Sequence, residues 1–232
     1  MSRRYSKGRP ARSEPKVVGF VCEGSTDLVV LRRMVEEVFG EIDALPLQPN
    51  LDELDRQVPG TKSGWSEVRA WCEREGSLEE YFTPDIGDGL DLLVIALDLD
   101  IAVKAGVQKS PDNLEAYDAK ALCDVIKSWL PSPLPGRVVI AIPVMSTEAW
   151  VLAALFPRMD KLESEPDPAR ILAAKKRIAM GKTGPWKRSQ DYRKFAEAVV
   201  RKIKHVREAC PEAGRFMAKL ENMRAVPGTD RE

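Results

Sequence analysis

The sequence predicts an α/β fold: a small, mostly parallel sheet flanked by helices in a Rossmann-like arrangement, followed by a basic helical C-terminal region. Two observations predict it. Apolar runs of strand length recur at Lys16–Cys22, Leu90–Asp100 and Arg137–Val144, and segments with helical spacing of apolar residues alternate with them. Proline- and glycine-rich turns separate the segments, and strands that alternate with helices pair in parallel through crossover connections.

Taken in order, residues 1–15 carry Arg3, Arg4, Lys7, Arg9 and Arg12 without apolar periodicity and are expected to form a flexible basic arm. The run KVVGFVC reads as the first strand, closed by the turn Glu23-Gly24-Ser25-Thr26-Asp27. Leu28, Leu31, Met34, Val35 and Val38 then follow helical spacing, with Ser25 or Thr26 as N-cap and Gly40 as the stop. Residues 41–90 are broken by Pro46, Pro49, Pro59, Gly60, Gly64 and Pro84. They read as an insertion over the core with one short helix near Ser66–Glu75. The run LDLLVIALDLD is the strongest strand signal, and its continuous apolar character fits a parallel strand covered on both faces. A polar loop, KSPDN, leads into a helix expected from Leu114 to Trp129. After Pro131, Pro133, Pro135 and Gly136, RVVIAIPV reads as a third strand and STEAWVLAALF as a helix capped by Ser146. The remainder reads as helical and basic with no further strand. The expected organisation is an arm at 1–15, an α/β domain at 16–156 that contains the 41–90 insertion, and a helical region at 157–232.

Composition narrows the function. The chain has 232 residues, 44% hydrophobic and 31% charged, which fits a folded globular protein. No apolar run reaches the roughly 18–20 residues of a membrane span, and the basic N-terminus lacks the apolar stretch of a signal peptide, so a cytoplasmic protein without membrane association is expected. Cys22, Cys72, Cys123 and Cys210 lie far apart, without a CxxC pair, and read as reduced thiols. The single histidine, His205, excludes a histidine-based zinc cluster or an HExxH protease, so any metal should be a hard cation held by carboxylate oxygens.

The 36 basic and 36 acidic residues cancel, but they are segregated. Glu36 to Asp100 holds 17 acidic and four basic residues, whereas Arg170 to Arg207 holds 13 basic and two acidic. The second segment is suited to a phosphate backbone, with Lys175, Lys176, Arg177, Lys182, Lys187, Arg188, Arg193 and Lys194 as contacts to nucleic acid. The same polarity also suits self-association into a homo-oligomer or a complementary partner protein.

Carboxylates gather where strands end. Glu23 and Asp27 follow the first strand, Asp98 and Asp100 close the second, and Glu148 follows the third. Parallel strands bring these ends to one edge of the sheet, where α/β proteins place their sites. Alternation along a strand would point Asp98 and Asp100 to one side. Two like charges about 4 Å apart repel by several kcal/mol at an effective dielectric near 20, and bound Mg²⁺ or Mn²⁺ is the natural compensation. Each motif has a plainer use as well: an acidic turn residue caps or complements a helix N-terminus. Trp150 is expected in the core, and burial against the sheet is the favoured role for Trp186, ahead of stacking on a base.

Glu23-Gly24-Ser25-Thr26-Asp27 after one apolar strand, with Asp98-Leu99-Asp100 after a later one, resembles the Toprim domain. Ser146-Thr147-Glu148-Ala149-Trp150 with VLAAL behind it, and Cys210-Pro211 with Phe216 and Leu220, resemble short stand-alone Toprim proteins related to the overcoming-lysogenization-defect nucleases. The resemblance covers residues 16–156 and, loosely, the basic remainder. It implies Glu23 as a metal ligand or general acid/base, Asp98 and Asp100 as metal ligands, Asp27 as a ligand for a second metal, and Glu148 as a further acidic ligand. It also implies a lysine near the scissile phosphate, to be chosen among Lys182, Lys187 and Lys194, with Lys187 favoured.

The function this implies is a metal-dependent nuclease that cuts DNA or RNA by two-metal chemistry. The resemblance further implies an effector of anti-phage defence that works with a partner ATPase. No GxxxxGK[ST] loop occurs in this chain, which is consistent with a separate ATPase. Topoisomerase is disfavoured because Tyr5, Tyr81, Tyr117 and Tyr192 lack a catalytic context, and primase because no zinc module is present. The alternatives are a Toprim-like binding module without catalysis and a haloacid-dehalogenase-like phosphatase with Asp98 as nucleophile. Against the latter, Ala102 replaces the usual Thr or Val and no later aspartate pair appears.

Overall fold

A computed structural model describes residues 15–52, 56–74, 76–84, 89–107, 109–110 and 113–225, so the basic arm expected at the N-terminus lies outside the described residues apart from Pro15. The first half contains β1 (Lys16–Val21), α1 (Ser25–Phe39), β2 (Ile42–Gln48), α2 (Trp65–Arg74), α3 (Glu79–Phe82) and β3 (Leu92–Ala96), then a 3₁₀ turn at Leu99–Ile101. The hairpin β4 (Lys109–Ser110) and β5 (Asn113–Tyr117) precedes α4 (Ala119–Trp129), β6 (Val138–Ala141) and α5 (Thr147–Leu155). A second 3₁₀ turn at Leu162–Ser164 and α6 (Pro168–Ala174) lead to the hairpin β7 (Ala179–Met180) and β8 (Pro185–Trp186). The chain then runs through α7 (Ser189–Arg201), α8 (Ile203–Ala209) and α9 (Pro211–Ala225).

Four strands form a parallel sheet in the order β2-β1-β3-β6. Strand alternation sends Val18, Phe20, Leu92, Val94, Ala96, Val139 and Ala141 to one face, where α1, α5, α7 and α9 cover them. Val21, Leu93, Ile95 and Ile140 face the other way, onto Val68, Trp71 and Cys72 of α2 and Leu122 and Ile126 of α4. All five residues of β3 are therefore buried, which is why that stretch reads as an unbroken apolar run. Helix α5 is apolar all round after Thr147 and Glu148 and is buried from Thr147 to Ala154, as expected for a helix enclosed on every side. No helix among the described residues is long and apolar enough to cross a membrane.

Four local expectations need correction. The stretch 41–90 is not all irregular: Ile42–Gln48 is the edge strand β2, paired in parallel with β1. Its register slips where Phe20 pairs with Pro46 and Val21 with Gln48, so Leu47 is the extra residue of a bulge, and a proline is tolerated at such a bulge on an edge strand. Helix α4 starts at Ala119 rather than Leu114, because Asn113–Tyr117 pairs with β4 and Asp118 caps the helix by accepting from the Lys120 N–H at 2.8 Å. The C-terminal part contains the β7–β8 hairpin, whose two-residue strands are too short to leave a periodic signal. At the start of α1 the N-cap is Gly24, in extended conformation, and Ser25 is already helical. Gly40 does stop α1, at φ +84, a left-handed value that favours glycine.

The other border of the sheet is β6. There Lys219 of α9 donates from Nζ to the Ile140 carbonyl at 3.0 Å.

Candidate metal centre

The strand order sets the site. The chain leaves β1 for β2 on one side and later returns to β3 on the other, so the carboxyl ends of β1 and β3 face a crevice where the direction of connection reverses. Glu23 emerges two residues past β1. Its backbone is held between neighbours: the Cys22 N–H donates to Gln48 O at 2.8 Å and the Gly64 N–H to Glu23 O at 2.8 Å. Across the crevice, the Asp98 N–H donates to Glu23 Oε1 at 3.0 Å.

Glu23, Asp98 and Asp100 each bring one carboxylate oxygen within 4.8 Å of the others. The mechanism of convergence differs from strand alternation. β3 ends at Ala96, Asp98 is extended, and Asp100 lies in the 3₁₀ turn that Asp98 precedes. Asp27, in the first turn of α1, is 8% exposed and accepts from Thr147 Oγ1 at 2.6 Å, which ties α1 to α5. Asp27 lines the same cleft of about 540 Å³ as the three other carboxylates and Lys187, and so do Gly24, Thr26 and Ser146 from the starts of α1 and α5.

Glu148 is placed differently. It is fully buried, and its Oε1 accepts from Lys187 Nζ at 2.6 Å and from the Tyr192 hydroxyl. It stands outside the group of three that brings oxygens together, and its contacts make it the anchor of Lys187. Of the three candidate lysines, Lys187 alone lines the cleft. Lys182 is exposed in the β7–β8 turn. Lys194 faces a groove between α1 and α7 together with Arg193, Arg32 and Arg33.

The electrostatics follow from burial and from who faces whom. Burial, joined by the charges of Asp27 and Asp100, pushes the Glu23 carboxyl up to about 7, against the pull of the Asp98 N–H. Burial and the Glu148 charge push Asp27 up to about 6. Asp98 is raised well above the ordinary range by burial, Asp27 and Glu23, and Asp100 is raised by burial although Lys104 and Lys187 oppose it. Burial alone would raise Glu148 too, but the Lys187 ammonium overrides it and holds that carboxyl below its ordinary value. Lys187, which burial would depress, is raised instead by Glu148 and Asp27 and stays charged.

Four carboxylates thus share one cleft, while its lysine is already committed to a fifth. That donor set is oxygen throughout, and the nearby Cys22 thiol is kept protonated by burial and by the Asp27 and Glu23 charges. Hard divalent cations such as Mg²⁺ or Mn²⁺ fit these donors, and Glu23, Asp98 and Asp100 could hold one.

The remaining cationic residues are not among those that line the cleft. Lys175 Nζ and the Arg177 guanidinium lie 5.8 and 5.4 Å from the Phe156 ring centroid, and Lys176 is exposed between them. Arg188 pairs with Asp191 at 2.9 Å and lies 5.5 Å from the Trp186 ring. Trp150 is fully buried, as expected, but Trp186 is 59% exposed, and burial against the sheet is not its role. Sequence reasoning missed Thr147, Tyr192 as a partner of Glu148, Lys104 beside Asp100, and Met145. Met145 lines the cleft at φ 62 in a three-residue turn in which the Ser146 N–H donates to Val144 O at 2.8 Å. Only Thr147 carried a signal, being next to Glu148.

Compared with models of known families, with curated proteins and with solved structures, the chain finds no match, and the reading of the site rests on its own residues.

Proposed function

We propose that this protein is a metal-dependent nuclease of Toprim type that hydrolyses phosphodiester bonds in DNA or RNA. The observation that carries the reading is the meeting of Glu23, Asp98 and Asp100 oxygens within 4.8 Å, at the crevice where the sheet's connections reverse, beside a charged lysine. Bound Mg²⁺ or Mn²⁺, singly or as a pair with Asp27 as a further ligand, would supply Lewis-acid polarisation of the phosphate and a water of lowered pKa. Lys187, held by Glu148, is placed to balance charge that builds on the scissile phosphate. A bound cation would draw the Glu23 carboxyl down from the value of about 7 it has without metal, leaving it ionised near neutral pH to hold the metal or to take a proton from water. Residues at the N-termini of α1 and α5 line the cleft, where free first-turn N–H groups would favour a phosphate.

Two parts of the proposal extend beyond the site: a role as an anti-phage effector and the need for a partner ATPase. Both rest on the likeness to short Toprim proteins.

The test is cleavage of plasmid DNA, single-stranded DNA and RNA in Mg²⁺ or Mn²⁺ by wild type, E23Q and D98N. Cleavage by wild type and its loss in both variants is expected. Cleavage that survives in both would overturn the assignment. Binding of divalent ions without cleavage would direct attention to the partner.

A further inference from the structure

The hairpin β7–β8 leaves its tryptophan exposed within a stretch of chain whose charged residues are cations. Among the described residues four large hydrophobic side chains are prominently exposed, and two of them, Met180 at 58% and Trp186 at 59%, belong to this hairpin. No acidic residue occurs between Asp167 and Asp191, while seven lysines and arginines do. Lys175, Lys176, Arg177 and Lys182 have no carboxylate partner among the described residues, and all four are exposed. An indole 59% exposed offers a free aromatic face, and a surround in which cations outnumber carboxylates, Asp191 on Arg188 being the carboxylate beside it, favours a polyanion over an ordinary protein contact.

The geometry also gives direction. Pro185 and Lys187 line the acidic cleft, and alternation puts Trp186 on the opposite face of the strand, beside Ala179 across the hairpin and under the Arg188 guanidinium. The hairpin is held in place by Lys187 Nζ on Glu148 at 2.6 Å and by the Gly181 N–H on Gly184 O at 2.8 Å. A nucleic-acid chain that leaves the cleft past Lys187 reaches Trp186 only by bending over the hairpin. An unpaired strand can make that bend and present a free base face to the indole, whereas a stacked duplex can do neither.

We infer that the exposed face of β8 is a stacking platform for single-stranded nucleic acid, with Trp186 receiving a base and Lys175, Lys176, Arg177 and Lys182 following the backbone. This rests on the nuclease reading of the cleft for its orientation and names the substrate form as single-stranded.

The experiment measures fluorescence anisotropy of a labelled oligonucleotide of about 12 nucleotides, single-stranded or annealed to its complement, at low salt in EDTA. Trp186→Ala is expected to weaken single-strand binding by about tenfold or more, and Trp186→Phe to restore most of it. Trp186→Leu should behave like the alanine variant, because it keeps apolar bulk without a π face. Duplex binding should not change. The exposed position means these variants should fold, and circular dichroism checks that. Equal single-strand binding by wild type, W186A and W186L, a loss shared equally by the duplex, or no binding by wild type would each overturn the inference. Because EDTA prevents hydrolysis, binding and cutting are separate readouts: a protein that binds through Trp186 yet neither binds added metal nor cuts with it retains the platform and loses the nuclease reading.

Discussion

Glu23 and Glu148 are both carried into the same corner of the molecule, one by the end of β1 and one by the start of α5, and they end in opposite electrostatic states. Burial penalises the charge on each. Glu23 meets one backbone N–H and two more carboxylates, and its carboxyl rises to about 7. Glu148 meets Lys187 and the Tyr192 hydroxyl, and its carboxyl falls. Residue type and burial therefore do not tell a metal-binding carboxylate from a structural one; the nearest cation does. One wall of the site is left short of positive charge while the other is satisfied.

The comparison can be broken most severely on the unsatisfied wall. Glu23→Gln or Asp98→Asn should lower metal-dependent cleavage by at least about 10²–10³-fold, and calorimetry should show weakened divalent-ion binding. On the satisfied wall, Lys187→Met leaves Glu148 buried without its cation. That should cost about 3 kcal/mol in urea unfolding, toward the low end for a broken buried pair because Lys187 is itself 39% exposed. Glu148→Gln should cost less, since the freed ammonium can turn to water. Equal costs would mean that the pair is not what distinguishes the two walls.

Acidity sharpens the contrast. Glu23 has an ordinary value of 4.5 raised to about 7 and Asp27 one of 3.8 raised to about 6, so between about pH 4 and 7 the folded state binds more protons than the unfolded state. Stability of the metal-free protein should then fall as pH rises through that window, and Asp98 and Asp100, both raised as well, act in the same direction. Glu148, lowered instead, works with the opposite sign and is felt below its ordinary value of 4.5. Chemical unfolding in EDTA from pH 5 to 8 should show the decline, Glu23→Gln should flatten it, and Mg²⁺ should protect more at pH 8 than at pH 5. The smallest effect expected is that of Tyr192→Phe, about 1 kcal/mol from the lost hydrogen bond to Glu148, read as a lowered melting temperature.

The parts of this fold legible in the sequence are those where one local rule acts alone. β3 declared itself because both of its faces are covered, and α1 because Leu28, Leu31, Met34, Val35 and Val38 line one side and Gly40 ends it. β2 stayed hidden because it is an edge strand that carries Asp43 and Pro46, and tertiary pairing with β1 overrode its weak propensity. In the site, the rule that strand ends converge brought Glu23, Asp98 and Asp100 together even though the aspartates lie past the end of their strand. The separate fate of Glu148 was not legible, since nothing local announces that Lys187 will fold back onto it. Nor was the exposure of Trp186, because hydrophobic character gives a tendency to burial and not an address.

Both borders of the sheet are closed to newcomers. β2 is interrupted by a proline and a bulge, and β6 already gives the Ile140 carbonyl to Lys219. An incoming strand would have to displace a lysine at one side or pair with a kinked, donor-poor backbone at the other. Ribbon-like growth from copy to copy is therefore discouraged at the outset, and a chain whose sheet is otherwise so apolar is protected against fibrous aggregation.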